Sequence, residues 1–261
     1  MAKFENLLHV MLHRPHFAGG GCVSNQSKIH MSFHNFISSL FVRIYRCYEP
    51  GYQKLLRDEK LILFQNLRND REVPLILEIG AGPGTNFVYY PTPCNVILVE
   101  PNIQFKECCI AALQKFPGIN LLAYYDVGVE NLGNVVTPDS IDIVLGTMVG
   151  CAVPDAGKYY EIVLNVLKPG GKFYFMEHIL GEPDSWQARW QRGTQWAWKP
   201  FGCGCRIDRD LDKEIDKAGF AFVEKKIFYL KLKRSSWYMP LCGCNMVARN
   251  VRGVATKSTA A

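Results

Sequence analysis

Residues 77–86, LEIGAGPGTN, set Gly80, Gly82 and Gly84 directly behind an apolar run. Glycine loses more backbone freedom on folding than any other residue. Three of them within five positions therefore point to a place where another molecule comes close to the main chain. A dinucleotide pyrophosphate asks for G-x-G-x-x-G between a strand and a helix. The spacing here is G-x-G-x-G, and Thr85 takes the third glycine place of the dinucleotide pattern. Glu78 lies two residues before the first glycine, where its charge is adverse to a pyrophosphate and favourable to an ammonium group. S-adenosyl-L-methionine carries a cationic amino-acid end and no phosphate. Spacing and charge sign together select it, with Glu78, Gly80, Ala81, Gly82 and Gly84 as its contacts.

The segment NVILVE (95–100) ends on Glu100, a carboxylate placed to accept from ribose hydroxyls, which marks a ribose rather than one cofactor. Pro101 and Asn102, just after it, offer contact to an adenine. DVGVENL (126–132) runs along the adenine edge with Gly128 and Val129, and GTM (146–148) brings Thr147 and Met148 to the methionine part. Methyl transfer from a sulfonium needs an aligned nucleophile and excluded water rather than a covalent triad. His178 closes the run KFYFMEHI (172–179) on the rim where sheets of this type bind ligands. It is the candidate catalytic base or orienting group, the alternative being a hydrogen-bonded structural histidine. Glu177 should point to the opposite face of the sheet. Asp142 reads as structural, and Asp208 and Asp210 as caps or charges at the start of the next helix. A thiol acceptor, with a pKa of about 8.5, would ask for only a modest base.

In this order, LEIGAGPGTNF, VEPN, VENL, SIDIVLGTMVGCAV, VLKPGGKFYFMEHI and CRIDRD resemble the class I S-adenosylmethionine-dependent methyltransferases, over residues 40–249. FYFMEH, a Trp-rich stretch and then GC-R-I-D-R-D are most similar to the animal microsomal methyltransferase-like proteins that S-methylate alkyl thiols. The resemblance implies a small-molecule methyl acceptor, an alkyl thiol being favoured. A lipid or quinone-like acceptor, or a non-catalytic membrane-surface role, are the alternatives. Many relatives carry an acid where this chain has Gly128, so a backbone contact from Val129 would replace it at the adenine. Those relatives also carry an amino-terminal anchor. The start of this chain lacks such a long apolar segment, so any membrane association would be peripheral.

The elements that must position these residues follow from hydrophobic periodicity. Strands LILEIG, NVILVE, NLLAYYD, DSIDIVLGTM and KFYFMEHI alternate with helical segments at 102–116 and 156–167. That alternation implies an α/β, doubly wound, mostly parallel sheet with ligands at the carboxyl ends of its strands. A short helix should open near Thr85. Phe33, Phe36, Ile37, Leu40, Phe41, Ile44, Tyr45 and Tyr48 form one helical stripe, with a second helix at 51–67. The stripe either covers the cofactor site or lies in a membrane interface. Residues 1–31 read as poorly ordered and 32–249 as the methyltransferase domain, with a core at 74–180 and substrate or lid elements at 32–70 and 181–249. Helix is expected around 208–219, strand at 220–232 and 242–249, and a disordered tail at 250–261.

Composition bounds the function without choosing it. The chain has 261 residues, 48% hydrophobic, with a net charge of +6, and neither a dense basic patch nor an Asn-Pro-Pro-Tyr motif argues for a nucleic-acid partner. No apolar run reaches the length of a membrane span, and the start does not read as a secretory signal. A cytoplasmic protein, associated at most with the endoplasmic reticulum or another intracellular membrane, is expected. Ten cysteines then read as reduced thiols. Cys203/Cys205 and Cys242/Cys244 are C-x-C pairs, short of the C-x-x-C spacing usual for zinc, so no metal is expected. Cys205, Trp186, Trp190, Trp196 and Trp198 are candidates to line an acceptor pocket, with core packing as the alternative for the tryptophans.

Overall fold

A computed structural model describes residues 25–67, 73–201, 204–230 and 244–259. Seven strands form one sheet: β1 (Leu75–Ile79), β2 (Cys94–Val99), β3 (Ile119–Tyr125), β4 (Ile141–Thr147), β5 (Leu167–His178), β6 (Phe222–Tyr229) and β7 (Arg249–Thr256). Their spatial order is β3-β2-β1-β4-β5-β7-β6. β1 to β5 run parallel, and β7 lies antiparallel between β5 and β6. The order reverses between β1 and β2 on one side and β4 on the other, which opens the ligand crevice at the carboxyl ends of these strands.

The central strands are buried on both faces, and successive side chains serve opposite layers. Leu77, Ile79, Val144, Phe173 and Phe175 pack with Tyr159, Tyr160 and Val163 of helix α3 (Ala156–Val166). Ile76, Leu98, Ile143, Leu145 and Met176 pack on the other side with Leu56 and Leu63 of α1 (Asn25–Phe64) and Ile110 and Leu113 of α2 (Lys106–Leu113). Two further helices, α4 (Trp186–Phe201) and α5 (Leu211–Asp216), follow β5. Asp142 accepts from the Leu75 amide at 2.9 Å and pairs with Lys168 at 2.8 Å, so it is structural, as its place in the strand suggested.

Four expectations need correcting. The two amino-terminal helices are one helix, α1, which passes through Pro50 and already includes residues 25–31, read as poorly ordered. No α-helix opens near Thr85: the glycine loop leads into a single 3-10 turn, Phe87–Tyr89, before Pro91 and Pro93 turn the chain into β2. The strand expected at 242–249 is displaced, with a 3-10 turn at Cys244–Val247 and β7 beginning at Arg249. Most of the tail read as disordered is thus a central element. Val251 and Ala255 are buried against β5, while a β-carbon on Gly253 would come 2.3 Å from the Glu224 carbonyl of β6.

The stripe of residues 33–48 lies along α1. The side chains of Phe33, Phe36, Ile37, Leu40, Phe41, Ile44 and Tyr48 fall outside the described residues. Where the helix is described from Val42 onward, it covers the sheet rim. Val42 is buried, and Tyr45 meets Phe105 edge-on with ring centroids 5.5 Å apart. No helix among the described residues is long and apolar enough to cross a membrane.

Candidate cofactor and acceptor site

β1 delivers the glycine loop into a left-handed path. Gly80, Gly82 and Gly84 have φ of +71°, +50° and +81°, a region other residues rarely enter. The Gly80 and Ala81 amides donate to the Val99 carbonyl at 2.8 and 3.3 Å, docking the loop on the end of β2. A β-carbon on Gly80 would come 2.3 Å from Val149 Cγ2, and one on Gly84 would come 2.3 Å from Phe87 Cε2. Gly82 differs. A β-carbon there would meet nothing within 4 Å, which leaves space in front of the loop for a cofactor.

Glu100 lies at the rim beside this space, 7% exposed. Its Oε2 accepts from the Gly82 amide at 2.9 Å and its Oε1 from the Asn102 amide at 2.9 Å. Each oxygen keeps capacity for a ribose hydroxyl. Burial raises its pKa, and the two amides oppose that rise. Asn102, next to Pro101, accepts from the Gln104 amide at 3.2 Å, while its own Nδ2 is buried with no hydrogen-bond partner, a donor left for a ligand. Gly128 precedes a 3-10 turn at Val129–Asn134. A β-carbon on Gly128 would lie 2.2 Å from Glu130 Oε1, so the Glu130 carboxylate folds back over the position.

Thr147 and Met148 close the crevice from β4. Thr147 Oγ1 accepts from Asn86 Nδ2 at 2.9 Å. Met148 has φ +59°, an unfavourable backbone for a side chain of its size. It is held there by its amide donating to the Met176 carbonyl at 2.7 Å and by the Tyr52 hydroxyl donating to its sulfur at 3.6 Å.

Glu78 is corrected by the structure. Its side chain faces inward, fully buried, and accepts from Asn86 Nδ2 at 2.7 Å and from the Tyr90 hydroxyl. Asn86 in turn accepts at 2.7 Å from Lys60 Nζ, a buried lysine on α1 that also donates to Gln53 Oε1 at 2.7 Å. Glu78 therefore acts on the loop through Asn86 and Thr147, from a fully buried position behind the cofactor space. Lys60 and Asn86 carried no local signal in the sequence, because their partner lies on a distant element.

Burial pushes Glu78 up to about 7 and Lys60 down to about 8, each partly restrained by the other's charge. A carboxyl with a folded pKa above its unfolded value contributes stability that is full below about 4.5 and lost as pH rises through about 7. Glu78→Gln does not titrate. Thermal unfolding should show the variant gaining about 2–3 kcal/mol relative to the native chain between pH 4.5 and pH 8. A pH-independent difference between the two would refute the buried, protonated carboxyl.

The acceptor side is built by β5 and the loops around it. Glu177 Oε1 accepts from the amides of Val149 and Gly150 at 2.9 and 2.8 Å, and burial raises its pKa to about 7. His178 is buried, with Nε2 3.0 Å from the sulfur of Cys205 and Nδ1 without a hydrogen-bond partner. Cys151, in the loop after β4, completes a group whose three ligand atoms lie within 4.8 Å of one another. A hydrogen bond from Cys151 and the nearby imidazole hold the Cys205 thiol well below its usual range. Burial opposes charge on His178, but the Cys205 thiolate wins and raises its pKa. Each partner thus favours the charged form of the other, and the Nε2 side of His178 is engaged by Cys205.

Arg209 is a further residue the sequence did not reveal. The motif around it suggested Asp208 and Asp210 as caps or charges at the start of the next helix. Asp210 is the residue that opens α5 and places its charge there, without a side-chain cap and paired with Lys213 at 2.7 Å, while Asp208 pairs with Arg206 at 3.2 Å. Arg209 lies buried between them and donates to the carbonyls of Gly150, Val153 and Pro154 at 2.7, 2.6 and 2.7 Å. It fixes the loop that bears Cys151. Of the tryptophans, Trp186, Trp190 and Trp196 are exposed on α4. Trp198 turns inward: its buried indole N–H makes no hydrogen bond of ordinary geometry, yet lies close enough to favour the Cys205 thiolate. Cys203 and Cys242 lie outside the described residues, as does the side chain of Cys244.

A seven-stranded sheet in which only β7 is reversed, a left-handed glycine loop with open space before it, and an acid ending β2 define a class I, S-adenosylmethionine-dependent methyltransferase. The methyltransferase domain family model matches residues 48–225, and the chain belongs to that family. It is 31% identical to thiol S-methyltransferase TMT1A of Homo sapiens over 209 residues, covering 79% of this chain and 81% of that protein. Thiol S-methyltransferase TMT1B of Rattus norvegicus is 32% identical over 193 residues, 74% of this chain and 76% of the relative. Among solved structures, an S-adenosylmethionine-dependent methyltransferase from Thermotoga maritima superposes with a TM-score of 0.54 at 20% identity, covering 85% of this chain and all of its own.

Proposed function

We propose that the protein transfers the methyl group of S-adenosylmethionine to a small thiol. The bound cofactor supplies an electrophilic methyl on a sulfonium. Gly82, Glu100 and Asn102 would hold it, and the covered rim under α1 excludes water. The observation that carries the thiol is that Glu177 Oε1 is engaged by two loop amides and His178 Nε2 by Cys205. Their other polar atoms, Glu177 Oε2 and His178 Nδ1, are buried away from solvent without a hydrogen-bond partner, so neither residue is an open, solvent-linked base. An alcohol or amide acceptor would need one, whereas a thiol with a pKa of about 8.5 is already partly ionised at neutral pH. The likeness to thiol S-methyltransferases along three quarters of the chain supports the same class.

The test is methyl transfer from labelled cofactor to matched thiols, alcohols, phenols and lipids at several pH values. An unhindered alkyl thiol should turn over at least about 100-fold faster than its alcohol analogue, with the rate rising until the thiol is ionised. Turnover of a phenol or lipid with none of any thiol would remove the thiol and leave the methyltransferase standing.

A further inference from the structure

We propose that Cys151, His178 and Cys205 bind a zinc ion whose fourth position receives the acceptor sulfur. The proposal rests on the thiol reading above and supplies what that reading lacks, a means of ionising the acceptor. Three observations carry it. The two sulfurs and the imidazole come from three different segments, yet their ligand atoms all lie within 4.8 Å of one another. His178 ends β5 and Cys151 lies in the loop after β4, on the carboxyl rim of the sheet, and Cys205 joins them from the loop after α4. Their surroundings are already organised for the purpose. The Arg206 amide donates to the Cys151 carbonyl at 2.8 Å, which joins the backbones bearing the two sulfurs. Gln195 accepts from the Ile207 amide at 2.8 Å and donates to the Cys205 carbonyl at 3.2 Å, and Arg209 fixes the loop on the other side.

Zinc suits this set. It takes thiolate and imidazole tetrahedrally, with Zn–S of about 2.3 Å and Zn–N of about 2.0 Å, and three protein ligands leave the open position of a catalytic site. Those bond lengths put sulfur and nitrogen about 3.5 Å apart. The His178 Nε2 to Cys205 distance of 3.0 Å would have to open by only about half an ångström. Two thiolates also neutralise the ion, so its burial carries little net charge. A soft ion held by sulfur ligands favours a sulfur acceptor over an oxygen one.

The step balances. The acceptor R–SH loses its proton to solvent on coordination, its sulfur forms the S–CH3 bond, and the cofactor's sulfonium C–S bond breaks to give S-adenosylhomocysteine. The thioether product carries no charge, is a weak ligand, and leaves.

The experiment uses the full chain purified under reducing conditions, first with zinc available and without chelator, then stripped and titrated with Zn2+ or Co2+. One zinc per chain is expected, with a thiolate-to-cobalt charge-transfer band in the Co2+ form. Cys205→Ala and Cys151→Ser should each weaken Zn2+ binding about 100-fold or more, while Cys47→Ser, an exposed cysteine away from the site, should not. Affinity for S-adenosylmethionine, measured by calorimetry on the same samples, checks that each variant is folded. Absence of zinc and of the cobalt band in native protein that still binds the cofactor overturns the proposal, as does retention of zinc by the doubly substituted chain. So does finding Cys151 and Cys205 joined as a disulfide in that native protein. Full thiol turnover by the metal-free chain would reject the zinc and keep the thiol reading. Zinc bound at this site in a protein that methylates no thiol would keep the metal and reject the acceptor.

Discussion

Gly82→Val is expected to abolish binding of S-adenosylmethionine while leaving a folded protein. The structure separates these effects because the three loop glycines differ in what surrounds them. At Gly80 and Gly84 a side chain would collide with Val149 or Phe87, so loss of binding there would be entangled with loss of fold. At Gly82 a β-carbon enters open space, and the left-handed φ of +50° adds a strain of about 1–2 kcal/mol. That strain is small beside the stability of a domain of this size. The space it enters is the cofactor's, so affinity should fall by about 100-fold or more, equivalent to about 3 kcal/mol. Calorimetry with the cofactor and with NAD is the measurement, circular dichroism the control. Native-like affinity in the variant, or tight NAD binding by the native chain, would show that the loop holds something else.

Arg209→Met should have the largest effect on stability. The guanidinium satisfies three backbone carbonyls in a buried loop, and methionine fills much of the volume without a donor. Leaving those acceptors dry should cost about 3–5 kcal/mol, an expected drop in Tm of about 10 °C. Arg209→Lys should recover little, because one ammonium cannot span all three carbonyls. Denaturant unfolding reads the difference directly. A cost under about 1 kcal/mol would mean that the loop finds other donors.

The parallel half of the sheet was legible because strands buried on both faces must be nearly continuous in apolar residues, and LILEIG, NVILVE and IDIVLG are. The cofactor end was legible for a related reason: a loop approached by a ligand needs glycine, and a ribose acceptor needs a carboxylate at a strand end. What failed was of two kinds. β7 reads as a tail because Arg249, Asn250, Arg252 and Gly253 break its hydrophobic pattern. The sheet demands them anyway, since Arg252 reaches Glu59 on α1 at 2.5 Å and only glycine fits at 253 beneath the β6 backbone. Glu78, Lys60 and Arg209 failed differently. Each is a charged residue whose meaning depends on partners distant in sequence, and a local motif gives the sign of a charge but not the direction in which it points. The same holds for Cys151, His178 and Cys205, which no spacing rule connects.

The placement of β7 also bears on how the molecule is made. β5 and β6 are neighbours in sequence order but never touch; the slot between them belongs to a strand synthesised 20 residues after β6 ends, at Arg249. While the chain is still emerging from the ribosome, β6 has no hydrogen-bonding partner and the edge of β5 lies open, along a stretch, Phe173 to His178, in which every residue is buried in the finished sheet. Such an edge is a template for pairing with another chain. The interval before β7 arrives is therefore when a chaperone would matter most, and when a premature stop would do the most harm.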